Sequence, residues 1–201
     1  MSETLSLAFA FAWLLAAPAA QSQDVAPDML IKNLSTEVIA EVRRDKGIQA
    51  GDAARIAALV DAKIVPHFDL RRTTQLAVGP SWRRATPEQQ ERLMQEFKTL
   101  LVRTYSGALA SYRDQAIEFR SLRAAAGDTE VTVKSLIRQS GAEAIAVEYD
   151  LARVSAQWKI FDMRIGGISL VATYRSSFAD EVRNHGVDGL IGLLERKNRQ
   201  I

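Results

Sequence analysis

The residues best suited to acid–base chemistry are Asp150 and Asp162. They fall in two stretches: Ile145 to Leu151, where apolar and polar side chains alternate, and Trp158 to Ile165, which is apolar on both faces. Alternation with a period of two marks strands. A carboxylate held in a strand of a helix-covered sheet can serve as a general base, but it needs an orienting partner. Nothing in the surrounding sequence supplies one, and an isolated strand aspartate then reads first as a hydrogen-bonded structural acid. Imidazole is limited to His67 and His185, far apart and in unlike contexts, which reads as surface or helix-end positions and not as a metal pair or a catalytic base. The 201 residues contain no cysteine, so a disulfide framework, a thiolate zinc site and a thiol nucleophile are all excluded. Gly166-Gly167 follows a strand without the later glycine or the Lys-Ser/Thr of a nucleotide loop, and predicts a tight strand-to-helix turn. Neither a Gly-x-Ser-x-Gly elbow nor a zinc-protease motif occurs.

Twenty-six basic against twenty-four acidic residues give a formal charge of +2, too balanced for a nucleic-acid binder. Basic pairs at Arg43-Arg44, Arg71-Arg72 and Arg83-Arg84 read as solvated faces, or as docking points for acidic partners or an anionic membrane. At 47% hydrophobic the chain has enough apolar matter for one sizeable core or two small ones. Leu5 to Leu15 is an apolar run followed by the small residues Ala16 to Ala20. That pattern predicts a signal peptide over residues 1–20, too short to span a bilayer, although Met1 to Thr4 lacks the usual Lys or Arg. The mature chain, from about residue 24, is therefore expected outside the cytosol.

The elements that must position these residues follow from periodicity. Apolar spacing predicts a helix from Pro27 to about Lys46-Gly47, a second capped by Asp52 and stopped by Pro66, and a third over Phe68 to Val78 closed by Gly79-Pro80. Thr86-Pro87-Glu88-Gln89 predicts a fourth through its capping hydroxyl, first-turn proline and Gln at the capping-box position. This helix carries Leu93, Phe97, Leu101 and Tyr105 on one face and should run about seven turns, roughly 38 Å. From about Gln115 the period changes to two. Ile117/Phe119, Val131/Val133 and Ile145/Val147/Tyr149 form inward rows, and Trp158 to Ile165 a fourth strand, with Trp158 and Ile160 on one face and Phe161, Met163 and Ile165 on the other. Short connections require antiparallel hairpins. After Gly166-Gly167 the helical period returns, interrupted at Gly186. The fold class is α+β: a mainly helical part over residues 24–112, a four-stranded antiparallel meander over 115–165, and helices over 168–198, in one domain from 24 to 201. Such a meander can close around a solid core or an apolar cavity, and periodicity does not distinguish the two.

An ordered set of residues carries a family resemblance. It comprises Trp158, Phe161-Asp162-Met163, Gly167, Ser169-Leu170, Tyr174-Arg175 and Phe178, then Gly186-Val187-Asp188-Gly189-Leu190-Ile191. Upstream come Pro66 to Asp69, Gly79, Trp82, Thr86 to Gln89, Phe97 to Leu101 and Thr104-Tyr105. In this order they resemble the MlaC family, also called toluene-tolerance auxiliary proteins, over nearly all of the mature chain. The arginines beside Trp82 depart from the family pattern. The resemblance implies a sheet related to nuclear transport factor 2-like folds with an added helical subdomain, and a monomeric periplasmic carrier of phospholipid. The partners it implies are an outer-membrane lipoprotein complex and an inner-membrane ABC transporter with an MCE-domain ring. The lipid would be cargo, with no cofactor, metal or nucleic acid. Expected lipid contacts are Val78, Trp82, Phe97, Leu101 and Tyr105 from the helical part. Phe119, Val133, Val147 and Tyr149 would come from the sheet, and Phe161, Met163, Leu170 and Tyr174 from the last strand and the helix behind it. Two other readings stand beside this one: an exported enzyme on the same fold using Asp162 or Asp150, and a helical scaffold with a solid core.

Overall fold

The structure, a computed structural model, describes residues 25–200 apart from 123 and 126; the expected signal peptide lies outside the described residues. Helix α1 (Pro27–Arg44) opens on a proline with Asp28 in its first turn and closes on Arg43 and Arg44, so charge complements the helix dipole at both ends. It stops at Asp45, whose extended backbone lets the carboxylate accept from the backbone N–H groups of Gly47 and Ile48 and cap α2 (Lys46–Gln49). Asp52 caps α3 (Ala53–Leu59) in the same way. The predicted second helix does not continue regularly to Pro66: beyond Leu59 it widens into a π turn over Val60–Ile64 and tightens into a 3-10 turn over Val65–His67. Asp69 caps α4 (Leu70–Val78), and a 3-10 turn over Gly79–Arg84 leads to α5 (Pro87–Ala110). The capping box forms as the sequence predicts, with Gln89 N donating to Thr86 Oγ1 at 3.2 Å and Thr86 N to Gln89 Oε1 at 3.0 Å.

The sheet is an antiparallel meander of β1 (Ala116–Phe119), β2 (Glu130–Arg138), β3 (Ile145–Val154), β4 (Gln157–Ile165) and β5 (Ile168–Ser169), paired in chain order. It has five strands where four were expected. Gly166 (φ 58°) and Gly167 (φ 84°) form a two-residue turn that folds Ile168 back onto Ile165 before the helix begins. Only then does α6 (Leu170–Gln200) start, and it breaks at Gly186 (φ 71°, ψ −175°), where the sequence predicted an interruption.

The predicted faces of β4 need correction. Leu151 pairs with Ile160 but Asp150 pairs with Asp162, so Phe161 is an extra residue on β4, a bulge. The inserted residue reverses the alternation behind it. Met163 and Ile165, opposite Tyr149 and Val147, therefore share the face of Trp158 and Ile160. That face is mainly apolar, with Ser135 buried among its aliphatic residues and Arg153 at its edge: Val133, Leu151 and Ile160 are buried on it, and Ile31 of α1 covers them, with Leu30, Leu34 and Phe68 packed alongside. The opposite face is charged, with pairs Arg138–Glu118, Lys134–Glu148 and Arg164–Glu148.

Two further apolar clusters complete the core. One joins α1, α2 and α3 through Val38, Val42, Ile48, Ile56 and Leu59, and the other joins α4, α5 and α6 around Phe97 and Phe178. The helical cluster meets the sheet at β4: Asp69 N donates to Ile160 O at 2.8 Å, Thr73 Oγ1 to Phe161 O at 2.9 Å and Val171 N to Asp162 Oδ1 at 3.1 Å.

Candidate functional site

Both aspartates lie on the charged face of the sheet, opposite one another in register. Asp150 accepts from Thr132 Oγ1 at 2.7 Å and is ion-paired to Arg164. Asp162 is 9% exposed and accepts from Met163 N (2.8 Å), Val171 N (3.1 Å) and Ser169 Oγ (2.6 Å), while Ser169 Oγ in turn accepts from Ala172 N at 2.9 Å. These bonds fasten the start of α6 to β4, which is what the Phe161-Asp162-Met163 motif does locally. Asp162 is thus engaged as a joint, and Asp150 as one member of a charge ladder. Burial and the Lys159 ammonium depress the pKa of His67 below the ordinary imidazole value. Among the described residues no cluster of His, Asp and Glu is placed to hold a metal ion.

The ladder on the charged face has a pH signature. Bonds from Lys134 and Arg164 hold the Glu148 carboxyl below its ordinary range. A carboxylate whose pKa is lower folded than unfolded stabilises the fold above the unfolded value, and that contribution is lost as pH falls through the folded one. The pairs are solvent-accessible, so the effect is small, of order 1 kcal/mol or less. Glu148→Gln should lower the melting temperature slightly at pH 7 and leave it unchanged near pH 3; an equal deficit at both pH values would contradict the assignment.

The apolar positions expected to face a ligand separate by depth. Val78, Trp82, Phe97, Val133 and Val147 are fully buried. Leu101, Tyr105, Phe119, Tyr149, Met163, Leu170 and Tyr174 are half-buried. On the helical side the Phe97 ring meets Tyr174 edge-on at 5.1 Å and Phe178 at 5.2 Å. Tyr105 adjoins Tyr174, and burial together with that neighbour raises its phenol pKa. On the sheet side Tyr149 packs with Val133 and Met163, and its hydroxyl lies near Ser135 and Ser35. Burial raises its pKa as well. Phe161 stands apart: the bulge puts it on the charged face, under the Arg72 guanidinium at 3.6 Å from the ring centre.

The half-buried group divides between two clusters: Leu101 and Tyr174 pack on the helical one, with Tyr105 beside Tyr174, and Phe119, Tyr149 and Met163 pack on the sheet one. Leu170 follows β5 directly, Tyr174 lies one turn on, and Tyr105 reaches Tyr174 from α5. At the Gly166-Gly167 end of the apolar sheet face lies a row from which the sequence reading selected only Val147 as a lipid contact. Ile137 pairs with Ile145, and Val147 with Ile165 and onward to Ile168. Ile145 is 47% exposed and Ile168 67%, so the apolar face continues to the molecular surface. The available signal was the isoleucine at each strand end. Two cavities also stand out among the described residues, and both have polar walls. One, of about 290 Å³, lies on the charged face by Asp128, Glu130, Thr132, Asp150 and Phe161, and the other, of about 510 Å³, is bordered by Glu41, Arg44, Asp45, Lys46 and Arg55. Neither suits an acyl chain, which would desolvate charges there without compensation.

Fold and site together define an α+β domain whose apolar sheet face runs, with aromatic and aliphatic lining, from a packed interior to an exposed rim, while Asp150 and Asp162 are tied up in structural bonds. The MlaC protein family matches residues 32–196, and the chain belongs to that family. Among solved structures, the phospholipid-binding protein from Ralstonia solanacearum in complex with a phospholipid is 40% identical with a TM-score of 0.82, over 86% of this chain and 97% of that one. The toluene tolerance protein ttg2D of Pseudomonas putida is 25% identical over 81% of this chain and 75% of its own. The intermembrane phospholipid transport system binding protein MlaC of Haemophilus influenzae is 19% identical over 88% and 84%.

Proposed function

We propose that this chain is a periplasmic phospholipid carrier, exported by a signal peptide over residues 1–20 and folded as one domain from residue 24. The acyl chains lie along the apolar face of the sheet, by Tyr149 and Met163, and along the helical side, by Leu101, Tyr105, Leu170 and Tyr174, and the headgroup stays at the Ile145/Ile168 rim. The observation that carries this reading is the apolar face continuing to an exposed rim, in a chain 40% identical to a protein solved with phospholipid bound. Phe119, Val133 and Val147 form the floor of the site, and Val78, Trp82 and Phe97 support it from behind. Phe161 is left out of the lipid contacts because it lies on the other face.

The energetics suit a carrier. At about 0.8 kcal/mol per methylene, two tails with roughly thirty methylenes gain on the order of 24 kcal/mol over water, so a loaded protein does not leak. A bilayer offers nearly the same burial, which makes transfer close to thermoneutral. Direction then comes from the partners: an outer-membrane lipoprotein complex at one end and an inner-membrane, MCE-domain ABC transporter at the other, in the service of outer-membrane lipid asymmetry. No step requires a cofactor or bond-making chemistry by the chain.

Mass spectrometry of the gently purified protein, with lipid extraction, should find phospholipid bound; its absence under all conditions would sink the proposal. Val147→Trp puts an indole where a buried valine faces Ser135 and Ile165. It should cut lipid retention severalfold while overpacking costs the fold only about 1–3 kcal/mol. Retention that falls only in step with stability would place Val147 in an ordinary core.

A further inference from the structure

Two of the three basic pairs that the sequence spaces apart are brought together by the fold. Arg71, at the start of α4, lies over the ring of Trp82 at 5.4 Å and donates to Gln90 Oε1 at 2.7 Å. Trp82 directly precedes Arg83 and Arg84 in the 3-10 turn. Arg175, from α6, reaches the same α4 and donates to Leu76 O at 3.0 Å. All four arginines are exposed, and none forms an ion pair among the described residues. Their neighbour Arg72 differs, being paired with Glu130 at 2.8 Å. Nearby carboxylates serve other bonds: Asp188 accepts from Gln89 at 2.8 Å, and Glu91 accepts from Gln95 at 3.0 Å.

We propose that the Arg71, Arg83, Arg84 and Arg175 surface is a docking site for an acidic protein segment, its carboxylates gripped by guanidinium groups held in place on α4 and the adjoining turn. Three observations favour a protein over a membrane. First, every cation is an arginine, and no lysine occurs from Ile64 to Phe97; guanidinium forks match carboxylates in a way an ammonium does not, whereas attraction to an anionic bilayer needs only charge. Second, three of the four are fixed by an aromatic face, a hydroxyl (Arg84 to Ser81 Oγ, 3.1 Å) or a backbone carbonyl, a preorganisation that suits discrete partners. Third, the large apolar residues exposed elsewhere, among them Met29, Ile145 and Ile168, are absent from this surface, so it offers nothing to insert into lipid. The proposal goes beyond the carrier reading and does not depend on it.

The test uses the full chain and a fluorescent oligoglutamate peptide at about 0.1 M salt, where charges beyond roughly 10 Å are screened. The unaltered chain should bind the peptide, with affinity falling as salt rises. Arg83→Gln/Arg84→Gln should weaken binding several-fold, and adding Arg71→Gln should bring the loss to about tenfold. The matching triple change to lysine should also lose several-fold, with the melting temperature and bound-lipid content unchanged. Peptide binding that is absent, or unaffected by the double glutamine change, overturns the proposal. So does binding to phosphatidylglycerol vesicles that the glutamine changes abolish and the lysine changes preserve, the outcome of a membrane surface.

Discussion

Phe97→Ala should destabilise the protein by about 3–5 kcal/mol, a large share of the 5–15 kcal/mol that holds a typical domain together. The ring is 1% exposed and stands edge-on to both Tyr174 and Phe178, so its removal opens a cavity between α5 and α6 and cancels two aromatic pairs at once. For a domain of this size the loss corresponds to a fall in melting temperature of about 10 °C. Leu101→Ala, one turn further along and half-buried, should cost much less. A thermal or urea melt of both variants decides the matter: a loss below about 1 kcal/mol for Phe97→Ala would mean that the α5–α6 contact is not the centre of the helical core.

Asp162→Ala is expected to cost on the order of 3 kcal/mol, because it strips the acceptor from the buried Val171 N–H and from Ser169 in one step. Asp162→Asn is the informative partner. An amide keeps one oxygen for Val171 N and turns its NH2 towards Ser169 Oγ, which can accept, so the loss should be about 1 kcal/mol. A structural joint predicts that graded pair of losses in urea midpoint. A catalytic Asp162 predicts instead that the asparagine variant folds with full stability and loses all turnover on some substrate.

Much of the helical part was legible because caps are local chemistry. Thr86 with Gln89, Asp52 and the break at Gly186 each declare themselves within four residues, and each lies where expected. The rows Val131/Val133 and Val147/Tyr149 were legible for the same reason, since alternation needs only neighbours. What escaped was of two kinds. The β4 bulge and the two-residue β5 are decided by pairing across strands, and a strand of two residues is too short to show a period. Depth escaped as well. Periodicity says which side a residue faces but not what lies over it, so Phe97 and Trp82, sealed among packed helices, looked the same as the half-buried Tyr105 and Leu170. Ile145 reads as part of an inward row and Ile168 as the start of the helical part, although both are exposed.

The bulge at Phe161 makes β4 two short strands spliced out of phase. Residues before it present their even-numbered members to the apolar face, and residues after it their odd-numbered ones. Parity is therefore a property the chain must keep across Ile160 to Met163. Were the strand to run with a regular pleat through Phe161, with no bulge, Arg164 would turn toward the apolar face and Met163 and Ile165 toward the charges. The spacing of the Phe-Asp-Met motif, as much as its side chains, is what lets one strand serve an oily surface along its whole length while its Asp162 ties down a helix from the other side.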